Sequence, residues 1–372
     1  MKFVYLTSKI FPASTADHFF VLQMARAFTS LLREDFLLVV GAEHNDELLG
    51  IPHYSFNLKM RRGKRIFIFF KFLFVVFTRK LFTKDTVFFT NDRSLLRILF
   101  FWKSILHFKY RVVSDWHMLR DDEEEADIIK NSDGLVTTTK HLKDLVVSRF
   151  EVPEAKILTA YGGVDIDMFS KVTESPETLR KRLGLPISDF LVGYVGYYKT
   201  MGMSKGLDTM MEALSLISDK TVKMVFVGGG KEDIEEYSNF AKEKGVFDRT
   251  IFIPVVSPEA LAFYEKAVDA LVIPYPDKPH FREYGFPMKT YEYLAAKKPV
   301  IYSDLTIIRE VLSDCAISFN PGDSKDLSEK ILEIKNDPAK TKEMILRAYK
   351  KAEDSSWKAR AQKIITFSKD IL

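Results

Sequence analysis

At 372 residues the chain exceeds what one hydrophobic core usually organises, so two domains are expected. A single cysteine, Cys315, excludes an intrachain disulfide, and the lack of any Cys/His cluster argues against structural zinc, which together predict an intracellular, reducing setting. The net charge of +4 hides an asymmetry: from Leu48 to Ser114 fourteen Lys/Arg stand against two acids, Asp85 and Asp92, a field that attracts a membrane surface, a nucleic acid or a phosphorylated substrate.

The opening residues have too short an apolar run before Pro12 for a signal peptide and predict a first strand near Lys2–Thr7. Apolar β-branched runs and helix-period stretches then alternate to the C-terminus, the pattern of βα units laid into parallel sheets. In the first half, strands are predicted near Phe36–Val40, Thr86–Thr90, Tyr110–Ser114, Gly134–Thr138 and Lys156–Thr159, with helices such as Phe19–Leu32, Ile66–Phe82 and Glu123–Asn131 between them. After Tyr161-Gly162-Gly163-Val164-Asp165 a polar segment with Pro176 and Pro186 leads to a fresh strand, Phe190–Val195, so a boundary is expected within 165–188. The second half predicts helices over 206–217, 231–244, 258–267, 288–297 and 306–313, and strands over 222–227, 250–254, 270–273, 299–302 and 315–319. Helices over 323–336, 339–352 and 357–371 follow. The expected fold is α/β: two doubly wound Rossmann-like domains, 1–170 and 171–352, with a last segment, 353–372, returning to the first.

The stretch from Pro274 to Ile301 is the most informative. It is a proline-bearing loop at the C-terminal end of a predicted strand, running straight into a helix, and ligands of open α/β sheets bind at that edge. Backbone N–H groups of Phe286, Met288 and Lys289 at the helix start can hold an anion such as a diphosphate; Pro287 has none to offer. Glu292 lies one turn inside.

The run from Phe286 to Val300 resembles the signature segment of the family 4 glycosyltransferases, a retaining group of GT-B architecture. The resemblance extends over most of the chain. Gly193 to Gly196 with Ser204-Lys205-Gly206-Leu207-Asp208 is similar to the family's strand and phosphate loop, and Phe226 to Gly230 to its next strand end. Val256-Ser257-Pro258-Glu259 resembles the base-binding turn, while Pro12 to His18 and Ala160 to Asp165 fall where the family has its first loop and its exit loop. The resemblance implies two domains facing across a cleft, the first binding acceptor and the second the nucleotide sugar. It implies donor contacts at Gly196, Lys205, Val256, Phe286, Pro287, Met288, Lys289 and Glu292. Lys205 would neutralise the diphosphate and Glu292 would accept hydrogen bonds from the ribose hydroxyls. His117, after a first-domain strand, would reach the donor sugar, or else cap and pack; His18 would line the acceptor cleft, or be a plain helix residue.

Two departures stand out. The family usually pairs two glutamates across seven residues; here Tyr284 occupies the partner position of Glu292, with Glu283 one residue early, so either a loop shift restores Glu283 as a catalytic group or the sugar contact differs. The basic residue expected soon after the strand glycine is absent at Tyr197 and Tyr198, leaving Lys199 as the substitute. The first loop, Phe11 to Asp17, also lacks the glycines frequent in the family.

Other motifs read as structural. Asp165-Ile166-Asp167 mimics a metal-holding carboxylate pair, but its place in the exit loop predicts a capping aspartate, and no metal or other cofactor is expected. Gly228-Gly229-Gly230 does not complete a dinucleotide fingerprint, because Asp233 occupies the third place. The acidic run from Asp121 to Asp127 predicts a solvated helix face. Ile66 to Phe77 is apolar all round except Lys71 and is flanked by Arg61, Arg62, Lys64, Arg65, Arg79, Lys80 and Lys84. It is too short to span a bilayer, and residues 59–84 are expected to lie on an anionic membrane surface, the other reading being a core helix.

The expected function is metal-independent, retaining transfer of a sugar from a nucleoside diphosphate donor to a hydroxyl of a glycan or lipid-linked acceptor. The expected setting is cell-envelope polysaccharide or glycolipid synthesis, in the cytoplasm at the inner face of the membrane and without a nucleic acid partner. The alternatives are a nucleotide-sugar epimerase of the same fold and a non-catalytic scaffold with a basic surface.

Overall fold

The computed structural model describes residues 1–12, 15–43, 46–56, 64–120 and 122–371, with side chains from residue 70 onward in the helix that begins at Lys64. Ala13 and Ser14 of the first loop, Asp121 of the acidic run, Lys59, Arg61 and Arg62, and the side chains of Lys64 and Arg65 therefore lie outside the described residues. The chain divides into two compact units, Met1–Gly162 joined by the segment from Trp357, and Gly163–Ser356. The break precedes the expected 170, and the returning segment starts at Trp357 rather than at 353.

The first unit is built on seven parallel strands: β1 Lys2–Leu6, β2 Phe36–Val40, β3 His53–Ser55, β4 Thr86–Thr90, β5 Arg111–Trp116, β6 Gly134–Thr137 and β7 Ile157–Thr159, in the order β3-β2-β1-β4-β5-β6-β7. The order reverses beside β1, the switch point of a doubly wound sheet. Both faces of the central strands are covered, so they are apolar without alternation. Phe3, Phe28, Phe36 and Phe89 pack ring on ring around β1, with Phe3 and Phe28 centroids 4.6 Å apart.

Several elements differ from expectation for local reasons. The strand expected at Tyr110–Ser114 runs two residues further, because Asp115 and Trp116 pair with Val136 and Thr137. Tyr110 instead turns into the core and donates its hydroxyl to the Leu99 carbonyl at 2.6 Å. The helix expected over Ile66–Phe82 spans Lys64–Thr78 and stops where Lys80 takes a φ of 53°, with the Leu81 amide bonding back to Val76. That helix is also not uniformly buried: Phe72, Val75 and Val76 face the core, whereas Phe70, Phe74 and Phe77 are 60%, 60% and 50% exposed. Nor is the acidic run merely solvated. Asp122 caps the helix Glu123–Asn131 and, with Glu124, pairs with Arg93, while buried Glu125 accepts the Arg120 amide.

The second unit carries six parallel strands: β8 Phe190–Val195, β9 Val222–Gly229, β10 Thr250–Pro254, β11 Ala270–Ile273, β12 Val300–Ser303 and β13 Ile317–Phe319, in the order β10-β9-β8-β11-β12-β13. The polar segment after the first unit contains a helix, Pro176–Leu183, with Ser175 accepting the Thr178 amide and Gly184 closing it at a φ of 67°. A small hairpin, Lys199–Thr200 against Met203–Ser204, and a short helix, Pro279–Glu283, sit in the loops after β8 and β11. No helix among the described residues is long and apolar enough to cross a membrane.

Candidate active site

The second unit's switch point lies between β8 and β11, and the loops leaving these strands hold the candidate donor residues. Close backbone approaches fix them. Gly228, at a φ of 107°, lies so near Gly196 that a Cβ would come within 2.8 Å of its backbone, and a Cβ on Gly229 would stand 2.4 Å from the Tyr198 ring, so packing requires these two glycines of the three. Gly230 then leads the helix Lys231–Glu243. Gly206, at a φ of 89°, abuts the end of β11: a Cβ there would stand 1.7 Å from the Pro274 carbonyl oxygen. Gly206→Ala is expected to cost at least about 2 kcal/mol and to dislodge the loop carrying Lys205; a lowered Tm together with weakened nucleotide binding would show it, and an unchanged Tm would contradict the contact.

Three titratable groups interact here: Lys289, which lies under Gly196, with Lys205 and Glu292, whose charges act on it. Lys289, the first residue of the helix Lys289–Ala295, is buried, and its ammonium lies 3.4 Å from the centroid of the Tyr194 ring, near enough to Gly196 that a Cβ there would be 3.0 Å from Nζ. Among the described residues that nitrogen has no hydrogen-bond partner. Burial, reinforced by the charge of Lys205, pushes its pKa well below the usual lysine value. Lys205 is half-buried, and burial lowers it to about 8. Glu292 sits in the same helix, with burial raising its carboxyl.

The sequence reading missed Glu265, in the helix Pro258–Ala267. It is fully buried, neither carboxyl oxygen has a hydrogen-bond partner among the described residues, and burial, followed by the charge of Glu292, raises it well above the usual range. Its only sequence signal is an acid on the apolar side of an amphipathic helix. His280 also borders the site; burial and then Lys205 lower its pKa. Around these groups stand buried tyrosines: Tyr293 donates to and accepts from the backbone of Val195, and Tyr198 donates to the Phe226 carbonyl at 2.7 Å.

Lys199 pairs with Glu236 and, at 3.4 Å, with Asp233, both in the helix Lys231–Glu243, and the Glu236 contact raises its pKa. Glu283 ends the short helix Pro279–Glu283, and Tyr284 follows, each half-buried; the Gly285 amide donates to the His280 carbonyl at 2.6 Å. Phe286 is half-buried, Pro287 buried, Met288 precedes the helix, and Val256 is half-buried in the turn after β10.

In the first unit His18 lies in the opening turn of the helix Ala16–Leu32, where its Nδ1 shares a 2.7 Å hydrogen bond with the Thr15 hydroxyl and its ring meets Phe11. His117 has Nε2 3.2 Å from Asp115, while its ring packs edge-on against Phe20. Asp115 is fully buried and is gripped through both oxygens by Arg360, from the helix Trp357–Asp370, at 3.0 and 3.3 Å. Burial opposes the Asp115 charge, but Arg360 and His117 outweigh it and hold the carboxyl below its usual value. No local sequence pattern could link Arg360 to Asp115. Asp165 caps the helix Ile166–Ser170 by accepting the Met168 amide at 3.2 Å.

Residues 176–351 match the family of glycosyl transferases group 1. A D-inositol 3-phosphate glycosyltransferase of Xylanimonas cellulosilytica is 28% identical over 197 residues, 51% of this chain and 45% of the relative. The chain thus spans about half the length of the curated relatives it matches. Anabaena HepE in complex with UDP shares the fold over 100% of both chains with a TM-score of 0.77 at 16% identity. The apo form of the lipopolysaccharide outer core galactosyltransferase WaaB does so over 100% of both with 0.74 at 16%. Residues 176–351 thus match the group 1 glycosyl transferases, and the two sheet orders with the full-length structural matches give the chain the GT-B fold of these glycosyltransferase structures.

Proposed function

We propose that the protein transfers a sugar, with retention of anomeric configuration and without a required metal, from a nucleoside diphosphate donor to a hydroxyl of a glycan or lipid-linked acceptor of the cell envelope. The observation that carries this reading is a pair of neighbouring lysines, Lys205 and Lys289, the second lying under Gly196 with no hydrogen-bond partner for its Nζ among the described residues. Cleavage of the bond between the anomeric carbon and the diphosphate oxygen leaves positive charge on the sugar and negative charge on the leaving group. A new bond forms from the acceptor oxygen to the same carbon, and the acceptor proton ends on the released diphosphate or in solvent. Fixed cations beside the leaving group stabilise that charge separation without reorganising. Glu292 suits a ribose hydroxyl, and His117, oriented by Asp115, suits a sugar hydroxyl. The UDP bound by HepE makes UDP the first ligand to try, and the likeness to WaaB, a lipopolysaccharide outer core galactosyltransferase, supports an envelope acceptor.

The test is the shift in Tm with UDP, GDP, ADP and CMP, first in EDTA and then with magnesium. A ligand at 100 times its Kd adds about 2.7 kcal/mol. One diphosphate is expected to stabilise the protein in EDTA; no shift with any of them would overturn the reading, and a shift only with magnesium would overturn metal independence. Binding should also titrate. The bound diphosphate favours the charged form of Lys205, whose pKa in the free protein is about 8, so affinity is full below pH 8 and falls roughly tenfold per unit above it. A flat profile from pH 7 to 9.5 would exclude Lys205 as the contact.

A further inference from the structure

The basic excess of the first unit separates into two populations. Arg93, Arg97, Lys103 and Arg111 are paired with Asp122, Glu124 and Asp133. Arg79, Lys80, Lys84 and Lys109 are exposed, and among the described residues no acid pairs with them. All four lie in the segments that enter β4 and β5, at the N-terminal edge of the parallel sheet. Asp85 is the one acid exposed among them.

The same edge carries an aromatic surface. Phe70, Phe74 and Phe77 follow one another at helical spacing along the solvent face of Lys64–Thr78. Phe77 meets Phe108 at 5.6 Å and Phe82 at 6.0 Å, and Phe82 stacks on Phe108. Leu106, 38% exposed, and Ile105, 58% exposed, continue the surface. The helix thus has a core face of Phe72, Val75 and Val76 and an opposite, water-facing aromatic face rimmed by free cations.

We infer that Phe74, Phe77 and Leu106, with Arg79, Lys80, Lys84 and Lys109, form a docking face for an anionic lipid surface. The rings enter the boundary between headgroups and acyl chains, and the cations meet the phosphates. A nucleic acid would use the cations but has less need of a continuous aliphatic and aromatic strip. Because the face lies at the N-terminal edge of the first sheet, lipid contact leaves that sheet's C-terminal edge, which bears His117, open to ligands. The inference is independent of sugar transfer, since the face contains none of the candidate donor residues.

Sedimentation of the full chain with vesicles of phosphatidylcholine and phosphatidylglycerol in equal parts, against phosphatidylcholine alone, tests it. Binding is expected only to the anionic vesicles and should weaken as salt rises. Lys80→Gln with Lys84→Gln should lower the partition coefficient about 25-fold, roughly fivefold per cation, and Phe74→Ser with Phe77→Ser at least tenfold. Both variants change exposed side chains and should keep the wild-type circular dichroism and nucleotide-induced Tm shift. No binding to anionic vesicles, or wild-type binding by either variant, would overturn the proposal. So would a dimer in sedimentation velocity that the phenylalanine variant dissolves, which would assign the face to a second copy. Binding to single-stranded RNA that ignores the phenylalanines would overturn it as well.

Discussion

Lys205→Ala is expected to lower kcat/KM for sugar transfer at least a hundredfold while leaving the fold intact. Its ammonium is held where burial leaves it poorly solvated and lowers its pKa to about 8, so its interaction with a developing anion is stronger than a surface lysine could provide. Loss of one fixed donor in such a site removes roughly 10²–10³ in rate. The free protein should not unfold more readily, because a burial-lowered lysine opposes folding while it is charged: the unfolded state binds more protons between about pH 8 and the ordinary lysine range, so stability rises across that window. Glu292→Ala should likewise abolish most transfer. Turnover of either variant at the wild-type rate would refute the site, and a kcat/KM loss residing wholly in KM would reduce Lys205 to a ground-state binding group.

Arg360→Ala should be the most damaging substitution for stability in the first unit. It leaves the fully buried Asp115 carboxylate with only His117, and breaking a buried ion pair from one side costs about 3–5 kcal/mol. In the wild type the lowered Asp115 pKa contributes stability above the unfolded value, lost as pH falls through the folded one. Without Arg360, burial dominates and raises that pKa, so the variant should regain stability as acid protonates the carboxyl. Adding Asp115→Asn to Arg360→Ala should recover part of the loss, giving a coupling energy that thermal or denaturant unfolding can measure. Additive losses would show that the two side chains do not depend on each other.

Long elements were legible because their periodicity is strong. Strands Phe36–Val40 and Thr86–Thr90 and the helix Pro258–Ala267 follow from apolar runs and a proline start alone. Three short elements were not: His53–Ser55, the hairpin at Lys199 and the helix Pro279–Glu283 carry neither an apolar run nor a period and owe their shape to neighbours. The site was legible in part for the same reason. Lys205, Lys289 and Glu292 occur in motifs with a local order, whereas Glu265 resembles any helix acid until its helix packs. The ion pairs of Lys199 were not legible either, because its partners, Asp233 and Glu236, lie more than thirty residues on. Counting charges likewise overstated the basic surface, since it could not foresee that Arg93 and Arg97 would meet Asp122 and Glu124.

The helix Trp357–Asp370 belongs to the amino-terminal unit, and this bears on how the chain emerges from the ribosome. Gly134 touches Phe367, and Asp115 has its arginine only when residue 360 arrives. The unit translated first is therefore completed last, after the whole of Gly163–Ser356 has been made. At about 5–20 residues per second, the interval is on the order of 10–40 s, during which Asp115 lacks its arginine and the strands of the first sheet stand without their closing helix. Deleting the segment around Arg360 would therefore act on the unit built from the start of the chain.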